Sequence, residues 1–134
     1  TLRIGTSDIY IAGIDDVSTE MDDAKNVAAQ VNSKDFVIFL AHNPSAISSS
    51  LLLTDRNGRG NWFDLGLFGH THGGQIPFLE EAFNFNGVPS RYESGLLLEN
   101  RSWLLISRGV GTTGLPARLF CQPEIHLITV QSGT

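Results

Sequence analysis

The chain has 134 residues, 41% hydrophobic and 17% charged, with a net charge of −5. That length fits one domain able to bury a core, and the composition is that of a folded globular piece, with no disordered or low-complexity segment. The nine Lys and Arg are scattered from Arg3 to Arg118 without a basic stripe, which argues against nucleic acid as a partner. A single cysteine, Cys121, excludes an internal disulfide and a Cys-x-x-Cys metal pair, so any metal must use His and carboxylate ligands. Apolar runs such as 36–41 fall far short of a bilayer span, and the N-terminus lacks a signal-peptide pattern, so the chain itself carries no membrane or export address. It begins at Thr1 and its one methionine is Met21, which is the look of a piece cut from a longer protein.

In chain order, "LRIG" and "DIYIAGI" read as a hairpin of two strands. From Thr19 to Val31, Met21, Ala24, Val27, Ala28 and Val31 recur at three and four residues, which predicts an amphipathic helix with Ser18 or Thr19 as its N-cap and Asp22 and Asp23 in its first turn. "DFVIFLAH", 35–42, is nearly continuous in apolar residues and predicts a central parallel strand buried on both faces. Pro44 opens a helical turn through "SAISSSLLL", followed by a loop of turn formers and the short apolar strand "FDLGLFG". The second half changes character. "YESGLLLEN", "RSWLLISRG" and "EIHLITVQ" predict three strands of antiparallel type, with a hairpin turn at Glu99, Asn100 and Arg101. Strand, helix, strand, helix, strand and a β-rich tail make a mixed α/β chain.

Two of the buried-type strands run into histidines: "FVIFLA" into His42, Asn43 and Pro44, and "DLGLF" into Gly69, His70, Thr71 and His72. Ligands of open α/β sheets bind beyond the carboxyl ends of strands, so the three histidines are expected on one rim. If the second segment is extended, His70 and His72 face one side, and the neighbouring glycines allow close backbone approach. A lone strand-end histidine is more often a hydrogen-bonded cap, but three together favour a metal site. His126, flanked by Ile125 and Leu127, reads as structural, on the exposed face of a late strand. Asp15 and Asp16 follow a strand end and could face the same rim, yet Asp is a routine turn and helix-entry residue, and both are read as structural. The loop 107–119 is glycine-rich, with Arg108 and Arg118 beside it, but lacks a P-loop ending. Cys121 reads as packed.

"LAHNPS", "DLGLFGHTHGGQIPF" and "LLISRGVGTTGLPARLFCQPEIHLITV" together resemble the C-terminal half of calcineurin-like metallophosphoesterases, in the bacterial branch with the Gly-His-Thr-His-Gly-Gly-Gln-Ile loop. The resemblance implies an α/β fold, half of a four-layer αββα sandwich with mixed β-sheets, residues 1–134 being the C-terminal part of one domain. It implies two divalent metal ions (Mn, Fe or Zn) in the complete domain and fewer in this piece, with His42 and His70 as ligands of one metal and His72 of the other. Asn43, Gly73, Gly74 and Arg108 are the candidate substrate-binding residues. The expected substrate is a phosphoester or pyrophosphate, as a small molecule or lipid, and the expected location of the full-length protein is cytoplasmic or membrane-associated. The family's upstream Asp-x-His, Gly-Asp-x-x and Gly-Asn-His motifs do not occur; "GNW" at 60–62 is the nearest imitation, and Trp62 can neither ligate a metal nor transfer a proton there. The missing N-terminal half is therefore the expected partner, and without it an exposed sheet face and edge should promote association. A non-catalytic binding module that keeps the fold and a mononuclear three-histidine zinc site remain the alternatives.

Overall fold

β1 (Leu2–Ile4) and β2 (Ser7–Gly13) form the expected antiparallel hairpin, with Leu2 opposite Ile9. In the computed structural model, residues 1–19, 23–32 and 34–131 are described. β2 leads through a 3-10 turn (Val17–Thr19) and α1 (Ala24–Ala28) to β3 (Phe36–Leu40), and β3 through α2 (Ala46–Ser50) to β4 (Leu65–Phe68). After a 3-10 turn (His72–Gly74), α3 (Pro77–Phe83) and another 3-10 turn (Ser90–Tyr92), the chain closes with the hairpin β5 (Gly95–Glu99) and β6 (Ser102–Ile106). The six strands make one mixed sheet in the order β1-β2-β3-β4-β6-β5. β2, β3, β4 and β6 run parallel, and the two edge strands antiparallel. The hairpin turn falls where expected: Asn100 and Arg101 both have positive φ, 46° and 69°, the backbone of a tight turn matched to strand twist. No helix among the described residues is long and apolar enough to cross a membrane.

The helices cover one face of the sheet only. Val37, Phe39, Phe68, Leu104 and Ile106 point into a core closed by Ala28, Ile47 and Trp62. The Phe39 ring lies 4.9 Å from Trp62 and 5.2 Å from Phe63, centroid to centroid, at angles that favour aromatic pairs. Trp62 is buried and its indole N–H donates to the Ser50 carbonyl at 2.9 Å, so the "GNW" stretch is core structure. On the opposite face the register lines up Ile9 with Phe36, Ile11 with Ile38, Leu40 with Leu67, Leu65 with Trp103, and Leu96 with Leu105. Ile11, Leu40, Trp103, Leu96 and Leu98 of this face are solvent-exposed.

Three expectations change. β3 is not buried on both faces: Val37 and Phe39 are enclosed, but Leu40 is exposed, because helices pack on one side alone. The first helix is shorter than its periodicity suggests, beginning after an N-cap at Asp23, whose side chain accepts the Asn26 N–H; Met21 and Asp22, expected in it, lie outside the described residues. "EIHLITVQ" forms no strand despite its alternation. Its residues border the bare sheet face beside Phe36, Leu65 and Trp103 and pair with neither edge strand, β1 or β5, and Ile125 and Leu127 are almost wholly exposed.

Candidate metal centre

The carboxyl ends of the parallel strands meet along one rim. Asp16 follows β2, His42 follows β3, His70 follows β4 and Arg108 follows β6. The β3–β4 ladder continues past the strands, Ala41 N–H donating to Leu67 O at 3.2 Å and Gly69 N–H to His42 O at 3.0 Å, which brings the two histidine-bearing ends together. Their rings meet edge to face with centroids 5.2 Å apart. One ligand atom from each of Asp16, His42 and His70 lies within 4.8 Å of the others, the one such group among the described residues. Two imidazole nitrogens and a carboxylate oxygen are a donor set that fits a borderline divalent metal. Asp16 was expected to be merely structural. The strand-end position that placed the histidines also places it, through the β2–β3 pairing, whereas its residue type gave no sign.

The His70–His72 segment is not extended. His70, His72 and Gln75 all have positive φ (65°, 53° and 51°), and Thr71 N–H turns back onto Gly69 O at 2.7 Å. Three non-glycine residues in this sparsely populated region within six positions are a concentration of backbone strain of the kind that clusters at functional sites. His72 consequently lines the same cavity as His42 and His70 but stands outside the Asp16 group. Its Nδ1 lies 3.3 Å from Gly111 O and 3.5 Å from Arg118 Nη2. Arg118 pins the loop from below, donating to the carbonyls of His72, Arg108 and Gly111. The buried Cys121 thiol contacts the carbonyls of His72 and Gly73, each at 3.2 Å. Gly73 is required here: at φ 61° a Cβ would fall 2.3 Å from Arg108 Cγ.

Gln75 joins the two halves of the rim. Its side chain exchanges a pair of hydrogen bonds with the backbone of Thr113 and donates also to Leu115 O, so the glycine-rich loop is tied to the histidine loop. Its signal in the sequence was position, within the quoted histidine stretch, yet an amide gave no reason to single it out. At Gly74 the space of a Cβ is taken by Glu93 Oε1, 2.0 Å away. Burial first, then the neighbouring Glu80 and Glu81, push the Glu93 carboxyl above its ordinary range. Together these loops enclose a cavity of about 660 Å³ that reaches from the histidines to Gly74, Gln75, Ile76 and Leu115.

The remaining expected residues are placed variously. Gly74 lines the cavity, and Asn43, Gly73 and Arg108 do not. Asn43 Oδ1 accepts the Ser45 N–H at 2.9 Å. Arg108 is held by Glu124, its Nε at 2.9 Å from Oε2 while its backbone N–H donates to Oε1 at 2.9 Å. That contact lowers the Glu124 carboxyl to about 2. His126 is an exposed residue of the unpaired tail, its Nε2 3.2 Å from Ser107 Oγ and 3.3 Å from Glu124 Oε1.

No protein-family profile matches the chain, and no solved structure does. Curated proteins do. An uncharacterized protein of Bacillus subtilis, YpbG, is 35% identical over 124 residues, covering 91% of this chain and 42% of its own length. The "Uncharacterized metallophosphoesterase YkuE" of the same organism is 33% identical over 130 residues, 94% of this chain and 42% of its own length. "Phosphodiesterase YaeI" of Escherichia coli is 37% identical over 97 residues, 68% of this chain and 31% of its own length. The chain thus spans less than half of the curated relatives it matches, and over that stretch it is similar to proteins named metallophosphoesterase and phosphodiesterase.

Proposed function

We propose that this chain is the C-terminal part of a single metallophosphoesterase domain and supplies part of a binuclear centre for phosphoester hydrolysis. The observation that carries the reading is the convergence of Asp16, His42 and His70 at the ends of three adjacent parallel strands. These residues would hold one divalent metal, and His72, on the same cavity, would serve a second whose other ligands lie on a preceding half of the domain. Bound there, such metals supply Lewis acidity and an activated water for attack on phosphorus.

The chain's own residues do the positioning. Gln75 and Arg118 tie together the two loops that form the cavity wall, so His72 is presented from a hydrogen-bonded turn. The bare sheet face, eleven apolar side chains wide from Ile9 to Leu98 by register, would pack against the sheet of the preceding half. The substrate by this reading is a phosphoester or pyrophosphate.

The test is an assay of this chain and of the longer polypeptide that contains it, with bis(4-nitrophenyl) phosphate and added Mn or Zn. Hydrolysis by the longer polypeptide alone is the expected result. Equal hydrolysis by this chain with Zn would mean a mononuclear site. Metal binding with no turnover in either would mean a binding module.

A further inference from the structure

The cavity at the histidine rim has a lining of two unlike kinds. His42, His70 and His72 line it, and so do the apolar side chains of Ile76, Leu79, Phe85 and Leu115. Phe85 and Leu115 are 72% and 55% exposed, and Phe85 stacks on the exposed Phe83 with centroids 5.3 Å apart, so the apolar lining extends to the surface beside the cavity. No Lys or Arg lines the cavity among the described residues, and the acidic side chain in its lining is Glu80. Arg118, on the loop that supplies Leu115, has its guanidinium turned to the carbonyls of His72, Arg108 and Gly111.

Resting on the phosphoesterase reading above, we propose that the site takes a phosphoester whose ester group is bulky and apolar, seated against Ile76, Leu79, Phe85 and Leu115, and disfavours esters that carry a further phosphate. The contiguity of the wall with the histidines selects the occupant: a group covalently attached to the phosphorus held at the rim reaches the wall without leaving the cavity. Burial of each methylene there favours binding by up to roughly fourfold. Away from the metal ligands, a second phosphate would instead meet the Glu80 carboxylate with no Lys or Arg of the described lining to offset it.

The longer polypeptide, loaded with Mn, tests this with a series of alkyl 4-nitrophenyl phosphates from methyl to octyl. Water's oxygen forms the new bond to phosphorus, 4-nitrophenolate leaves, and the alkyl phosphate is the other product. We expect kcat/KM to rise about two- to fourfold per methylene until the wall is covered. Phe85→Ser, at an exposed position, and Leu79→Gln should each cut the octyl-to-methyl ratio by about tenfold or more. Calorimetric binding of octylphosphonate against methylphosphonate should follow the same order without turnover. Hydrolysis that ignores chain length, or that prefers nucleoside diphosphates, overturns the apolar subsite and leaves the phosphoesterase reading standing. Absence of both hydrolysis and phosphonate binding overturns the two together.

Discussion

Gln75 and Thr113 lie 38 residues apart and exchange two hydrogen bonds, Thr113 N–H to Gln75 Oε1 at 2.8 Å and Gln75 Nε2 to Thr113 O at 3.1 Å. The buried amide thereby acts as a short piece of β-ladder between two loops that have no strand between them. Gln75→Glu keeps the shape but removes the donor and turns a carboxylate toward the carbonyls of Thr113 and Leu115. It should cost about 2 kcal/mol or more and be at least as damaging as Gln75→Ala. Urea unfolding of the two variants at neutral pH checks this. A Gln75→Glu variant as stable as the parent would show that the clamp does not hold the loops.

The convergence of Asp16 with His42 and His70 predicts how metal affinity responds to substitution. Asp16→Asn, His42→Ala and His70→Ala should each weaken Mn or Zn binding by at least on the order of tenfold to a hundredfold, the cost recorded even for outer-shell changes. His126→Ala, on the tail beside Glu124, should leave it unchanged. Calorimetric titration of the four variants decides the matter: an unaltered dissociation constant for Asp16→Asn would remove the carboxylate from the site.

Much of this arrangement was legible in the sequence. The apolar run at 35–42 announced a central parallel strand and "FDLGLFG" a short apolar one, and the rule that ligands gather at carboxyl ends put their histidines on one rim, where His42 and His70 meet. Asp16 was legible only as a residue that could face the rim and was read as structural, because an aspartate after a strand is ordinary turn chemistry until the β2–β3 pairing shows what it faces. The turned backbone at His70 and His72 was hidden for a different reason: positive φ at non-glycine residues is imposed by tertiary contacts such as those of Arg118 and Cys121. A continuous apolar run also looks the same whether its second face is covered or bare, so β3 was read as enclosed on both sides. The alternation at 124–131 is that of a strand, yet alternation does not supply a ladder, and this segment pairs with neither edge strand of the sheet.

Glu124 links the tail to the rim and sets an acid-dependent step in stability. Its folded pKa, lowered from 4.5 to about 2 chiefly by hydrogen bonding from Arg108, means that the contact contributes fully above about 4.5 and is lost as pH falls from there toward 2. Glu124→Gln should therefore lower stability by roughly 1 kcal/mol at pH 7, the partial exposure of Arg108 limiting the effect, and by nothing near pH 2. Unfolding midpoints of parent and variant from pH 7 downward give the comparison. A constant difference across that range would mean that the pair carries no pH-dependent stability.

The bare sheet face predicts association. Leu98 and Trp103 stand opposite each other on β5 and β6, and both are exposed, 57% and 48%. Their neighbours in register, Leu65, Leu67 and Leu105, continue the surface across the sheet. A contiguous apolar face of this kind is a site where another protein surface packs. At micromolar concentration the separate 134-residue chain should sediment as a concentration-dependent mixture. Burying a large apolar side chain is worth about 1.5–3 kcal/mol, so Trp103→Glu or Leu98→Lys should weaken that association by about tenfold or more. Neither change touches the core on the opposite face, so the unfolding midpoint should hold. Sedimentation of the parent chain as a monomer that resists concentration would count against any covering of this face.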